Sequence, residues 1–123
     1  MKDWNVGLMS HLGMRFVEVG ADKVVLELDI GEQLTTVGGA VHGGTLMALA
    51  DTAGAAGTVS MGLRTATLES KTNFFAAGMA GKLRAEATPL HKGKRTHVWQ
   101  TRVTDGQGRL LSLTIQTQMI LDK

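Results

Sequence analysis

The chain has 123 residues and a formal net charge of +2. That length suits a single domain spanning 1–123, and it is short for a deep cleft walled by one chain alone. With 43% hydrophobic and 20% charged residues the composition is not that of a disordered chain, and the absence of cysteine excludes disulfides, thiol nucleophiles and zinc–thiolate sites.

The first residues, Met1 to Asn5, include an acid and lead into no apolar run, so the start does not read as a secretory signal and a cytoplasmic protein is expected. A short amphipathic helix is expected near Asn5–Leu12, then a strand over about 13–19. Gly20-Ala21-Asp22 turns the chain into a second strand. There Val24, Leu26, Leu28 and Ile30 alternate with Val25, Glu27 and Asp29.

A helix follows over roughly 43–60. Leu46, Leu49, Ala50, Ala53 and Gly57 recur at the spacing of one helical face. Glycine inside a helix costs about 1 kcal/mol relative to alanine. Gly54 and Gly57 therefore imply that something approaches the helix backbone closely. Four strands complete the chain: 65–75, 82–88, 94–104 and 109–121. A turn at His91–Lys94 precedes the third of these, and Asp105-Gly106-Gln107-Gly108 closes a hairpin between the last two. In the last strand Leu111, Leu113, Ile115, Thr117, Met119 and Leu121 alternate with Ser112, Thr114, Gln116 and Gln118. No helix-length crossover separates the four strands, so the expected class is α+β, an antiparallel sheet wrapped around one long helix.

The +2 is unevenly placed. Residues 1–60 carry three basic and seven acidic side chains, and residues 61–123 carry ten basic and four acidic ones, giving −4 and +6. A basic half suits an anionic ligand. Aromatic residues make up 4% and there is no tyrosine, which leaves few stacking platforms for bases, so no nucleic-acid partner is expected. His11, His91 and His97 show no ligand spacing with one another, and no metal is expected. Between Glu32 and Arg64 the only formal charge is Asp51. So uncharged a stretch must be buried, packed against another subunit, or membrane-spanning. Asp51 and the hydroxyl residues Thr45, Thr52, Thr58 and Ser60 argue against a membrane helix.

Gly38 to Thr45 is a glycine-rich loop entering a helix N-terminus, where backbone N–H groups lack internal partners and the helix dipole is positive. Such a terminus holds a phosphate or stabilises the oxyanion of acyl transfer. A phosphate-binding loop of the nucleotide type needs a lysine where Gly44 stands. Asp51 has only Met47, Ala48, Gly54 and Ala55 as i±3 and i±4 neighbours, none of which pairs with a carboxylate. It is either a structural carboxylate bonded to a strand backbone or Thr52, or a general base or nucleophile. Gly43 and Asp51 lie eight residues apart, about 12 Å along a helix. One reacting carbon needs both within about 3–3.5 Å. A catalytic reading therefore requires two antiparallel copies of the helix, each Gly43 lying near the other chain's Asp51.

Val41-His42-Gly43-Gly44, followed by Leu49-Ala50-Asp51-Thr52-Ala53, resembles the signature of the hotdog-fold acyl-CoA thioesterases, within them the PaaI-like (phenylacetate-degradation type) branch. Asn73-Phe74, Lys92-Gly93-Lys94-Arg95-Thr96 and Asp105 to Leu110 resemble later segments of that family in the same order. The resemblance implies a homodimer, usually paired into a homotetramer, with two sites at the interface. It implies that the Gly43 amide polarises the thioester carbonyl, that His42 helps to orient it, and that Asp51 of the partner attacks it or activates water. Thr36, Gly44, Thr52, Phe75, Lys92, Lys94 and Arg95 join Asn73 and Phe74 as candidate substrate contacts. Coenzyme A enters as part of the substrate, and no separate cofactor is implied.

Two positions depart from the family. Thr36 stands six residues before His42, where an amide side chain is common, and Ala55 stands one helical turn after Asp51, where a hydroxyl is common. These departures define the alternative, a non-catalytic acyl-CoA-binding regulatory module. A hydratase acting on enoyl-CoA needs an Asp/His pair in another arrangement. Phe74, Phe75 and Met79 are candidates for an acyl pocket or for the core, and His97, on a strand with Trp99, reads as structural.

Overall fold

The computed structural model describes residues 4–122. Helix α1 (Gly7–Leu12) leads into β1 (Arg15–Val19) and β2 (Val24–Asp29), followed by a 3₁₀ turn at Glu32–Leu34, helix α2 (Gly43–Val59), and strands β3 (Arg64–Phe74), β4 (Lys82–Lys92), β5 (Thr96–Thr104) and β6 (Leu110–Asp122). The six strands form one antiparallel sheet in the order β1-β2-β4-β5-β6-β3. This is the expected α+β architecture, a sheet around one long helix.

The core lies between α2 and the sheet. Leu46, Leu49 and Ala53 from α2 meet Val24, Leu26, Leu28, Leu83, Ala85, Trp99 and Val103. The helical face read from the sequence is the face that is buried. The glycines on it are explained by single contacts. A Cβ at Gly54 would meet the Gln116 amide at 2.5 Å, and one at Gly57 would overlap the Trp99 ring. The close approach implied by these glycines is therefore made by side chains of the protein's own sheet. The face turned away from the sheet carries the exposed Met47 and the half-buried Ala48, Asp51, Thr52 and Ala55.

Strand β4 runs four residues further than its alternation suggests, through Lys92, and the turn that follows is Gly93 to Arg95. Pro89 is tolerated because β2 pairs β4 only between Lys82 and Ala87, so the missing N–H falls beyond that partner. A bulge between Pro89 and His91 follows in the pairing with β5. The last hairpin closes as expected. Asp105 Oδ1 accepts from the Gln107 and Arg109 N–H groups, each at 2.9 Å. These bonds hold its carboxyl below the usual carboxylate range.

Strand β6 alternates as read, with its faces assigned against the usual polarity. Ser112, Thr114, Gln116 and Gln118 are fully buried on the helix side, while Ile115, Met119 and Leu121 are exposed on the outer side. The inner polar row is bonded to polar groups of α2 and β3: Gln116 to Asp51, Gln118 to Thr67, Thr114 to Thr72. Burying an amide or hydroxyl is tolerated where a partner is supplied.

Candidate active site

The loop before α2 sets the helix start. Gly38 and Gly39 adopt φ of +92° and +88°, the left-handed region that glycine occupies without strain, and Gly39 N–H donates to Thr36 O at 3.0 Å. His42 caps the helix. Its extended backbone (φ −65°, ψ 137°) precedes the first turn, and its Nδ1 accepts from Gly44 N–H at 2.7 Å. An Nδ1 that accepts places the proton of the neutral ring on Nε2. The capping bond engages the second amide of the helix. The first, Gly43 N–H, has no intrahelical acceptor. The Phe74 ring lies against Gly43, so that a Cβ there would meet it at 3.2 Å. The end of β3 and the start of α2 are thereby brought together.

Asp51 lies mid-helix, half-buried rather than buried. Thr67 Oγ1 on β3 donates to its Oδ1 at 2.5 Å, and Gln116 Nε2 on β6 donates to the same oxygen at 3.1 Å and to the Asp51 carbonyl at 3.3 Å. Oδ2 accepts no bond, and Asp51 has no ion pair, among the described residues. Two depressions meet at this carboxylate. An apolar cavity of about 500 Å³ is lined by Trp4, Met9, Phe16, Thr52 and Ala55 on the β1 side, with Asp51 on its wall. Trp4 and Phe16 pack edge to face at 5.5 Å in that wall. On the β3 side a trough of about 320 Å³ is lined by Met47, Ala48, Asp51, Thr67 and Ser70.

The remaining candidates are spread more widely. Thr52 lies beside Asp51, with its hydroxyl donated to Ala48 O at 2.8 Å. Thr36 is exposed in the loop, whereas Gln33 and Thr35 line a recess with His42 and Gly44. Phe74, Phe75 and Met79 are 51%, 57% and 55% exposed and belong neither to the core nor to the apolar cavity. Asn73 is exposed and accepts from Lys71 Nζ at 3.1 Å. Lys92 pairs with Asp22 at 2.8 Å. Lys94 and Arg95 are exposed in the β4–β5 turn.

That turn lies toward the C-terminal end of α2, where buried His97 Nδ1 is 3.0 Å from Thr58 Oγ1, which accepts from the Trp99 indole N–H, also at 3.0 Å. Burial first, then the electrostatic influence of Lys92 and His91, lowers the His97 pKa. No three His, Asp or Glu side chains converge on a metal-sized site among the described residues. No helix among them is long and apolar enough to cross a membrane.

Thr67 and Gln116 were not singled out by sequence reasoning, although both touch Asp51. The available signals were the polar row of β6 and the cost of Gly54. Trp4, Met9 and Phe16 were missed as cavity residues because they are brought to α2 from the far edge of the sheet.

A six-stranded antiparallel sheet around one long helix is the hotdog fold. The sequence profile of the Thioesterase superfamily matches residues 38–112, and the chain belongs to that family and is a thioesterase. Among curated proteins it is similar to the 1,4-dihydroxy-2-naphthoyl-CoA hydrolase of Listeria monocytogenes, 33% identical over 112 residues, covering 89% of this chain and 91% of that one. Among solved structures it resembles the PaaI protein of the E. coli phenylacetic acid degradation operon (TM-score 0.90, 27% identity, 96% of this chain and 86% of that one). A thioesterase of Haemophilus influenzae is similar as well (TM-score 0.87, 26% identity, 92% of this chain and 81% of that one).

Proposed function

We propose that the protein hydrolyses acyl- or aryl-CoA thioesters at two equivalent sites, each completed by two copies of the chain. The observation that carries this is the Asp51 carboxylate, fixed through one oxygen, unbonded at the other, and set in the wall of an apolar cavity.

In this reading Asp51 Oδ2 takes a proton from a water molecule whose oxygen attacks the thioester carbon. The new C–O bond forms as the carbonyl π electrons move to oxygen. The partner's Gly43 N–H and its His42 Nε2–H stabilise that oxyanion. Collapse breaks the C–S bond, the carboxylic acid departs, and the coenzyme A thiolate takes up the proton. Direct attack by Oδ2, giving a mixed anhydride that water then opens, fits the same groups. Single turnover in ¹⁸O-water separates the two, because only the anhydride route can leave label in Asp51.

The dimer is supported by β3. This eleven-residue strand ends the sheet, is exposed along most of its length, and runs beside Asp51. An edge strand of that length offers a row of unpaired N–H and C=O groups to a second copy. Two such edges paired antiparallel place the two helices antiparallel. Lys94 and Arg95, toward the C-terminal end of one helix, then come near the partner's helix start, where the phosphates of coenzyme A would lie. A further pairing of dimers into a tetramer is part of the same reading. The cavity beside Asp51 suits the acyl group, and Ala55 is one of its apolar walls.

The test is release of coenzyme A thiol from a panel of acyl- and aryl-CoA thioesters by the wild type and Asp51→Asn. Undiminished turnover by the variant sinks the mechanism. Tight binding of a thioester by calorimetry with no turnover selects the regulatory module instead.

A further inference from the structure

We propose that Gln116 is a positioning residue for Asp51, fixing which carboxylate oxygen meets the substrate. The proposal rests on the hydrolytic reading above and assigns a role to a residue on a different element from the signature.

Gln116 is 0% exposed, in the middle of β6. Its amide nitrogen reaches two acceptors on one residue, Asp51 Oδ1 at 3.1 Å and the Asp51 carbonyl at 3.3 Å. Both partners accept only, so the nitrogen, not the oxygen, must face Asp51. The amide oxygen is then left buried without a partner among the described residues. It lies against the helix where Gly54 stands, and a Cβ at that position would meet it at 2.5 Å. Two unfavourable features thus serve this one amide: an unsatisfied buried acceptor and a glycine inside a helix. An apolar side chain of similar size would avoid the first without disturbing the core.

The geometry shows what is gained. A donor bonded to both the carbonyl and the carboxylate of one residue ties the Asp51 side chain to its own backbone. Thr67 reinforces the same oxygen from β3. With Oδ1 occupied twice, Oδ2 is the oxygen left to take the proton or attack. Gln116 does not touch substrate in this arrangement and acts only through Asp51.

The test compares Gln116→Met and Gln116→His with the wild type and with Asp51→Asn, using benzoyl-CoA and hexanoyl-CoA. Misplacing a reacting group by about 1 Å costs on the order of 100-fold in rate, so Gln116→Met is expected to lower kcat by about that factor. KM should change less than about threefold, and thermal unfolding should show the variant as stable as the wild type or more so. Gln116→His retains an N–H donor and is expected to regain at least tenfold of the loss, on the order-of-magnitude scale of one bond to a charged group. In the Asp51→Asn background Gln116→Met should have no further effect, because the residue acts through the carboxylate. Full activity in a folded Gln116→Met, a His variant no better than the Met variant, or an equal loss in the Asp51→Asn background each overturns the proposal. If Asp51→Asn is itself fully active, the hydrolytic reading fails. If it is inactive while Gln116→Met is active, only the positioning role fails.

Discussion

The proposed two-chain site makes a quantitative prediction about mixed dimers. Gly43→Pro removes the N–H of the first helical position, where proline is well tolerated because that amide has no intrahelical partner. Proline also requires an extended residue before it, and His42 already has φ −65° and ψ 137°. The added ring meets Phe74, which is half exposed and free to yield. The fold should therefore survive while the proposed oxyanion donor is lost, lowering kcat by about 10²–10³. Asp51→Asn removes the proposed base or nucleophile, with an expected loss of about 10²–10⁴. In a heterodimer of the two variants one site carries both lesions and the other carries neither. Random pairing makes half of the dimers mixed, each with one intact site of two, so an equal mixture should regain about a quarter of wild-type turnover. The assay is thiol release after the two variants are co-refolded, with sedimentation confirming that the chains associate. A mixture no more active than the mean of its components refutes the two-chain site. Within one chain the two groups are about 12 Å apart along the helix, so no recovery can come from a single copy.

Gly57→Ala should lower stability by about 1–3 kcal/mol, because overpacking against the buried Trp99 outweighs the helix-propensity gain of about 1 kcal/mol; denaturant unfolding at fixed protein concentration checks it. Thr67→Val removes the second donor to Asp51 Oδ1 and should reduce kcat by about 10–100-fold, with KM affected less. Lys94→Ala combined with Arg95→Ala should raise KM for CoA thioesters by about tenfold without changing turnover of an N-acetylcysteamine thioester, which has no phosphates. The buried His97 has its pKa lowered on folding, so the unfolded chain binds its proton more readily. Stability should be full above the ordinary value of 6.5 and fall as the pH drops below it. His97→Gln should flatten that fall in a series of melting curves, and an unchanged profile would show that another group is responsible.

The order of elements, the helix with its buried face, and His42, Gly43 and Asp51 as candidates were legible because each depends on local pattern. Period-two alternation marks strands, recurrence at three and four marks a helical face, and a glycine-rich loop ahead of a helix marks an exposed helix start. Alternation also shows that β6 has two unlike faces. It does not show which face the helix covers, and here the polar one is covered because Asp51 and Thr67 supply partners for it. The groups that hold Asp51 come from 16 and 65 residues away in sequence, and no spacing rule connects them. The sequence marked Gly54 and Gly57 as points of close approach, but only the packed sheet showed that Gln116 and Trp99 are what approaches. Short-range geometry follows from the chemistry of adjacent residues. The contents of a site are set by which strands neighbour one another, and that is decided when the whole chain buries its apolar surface at once.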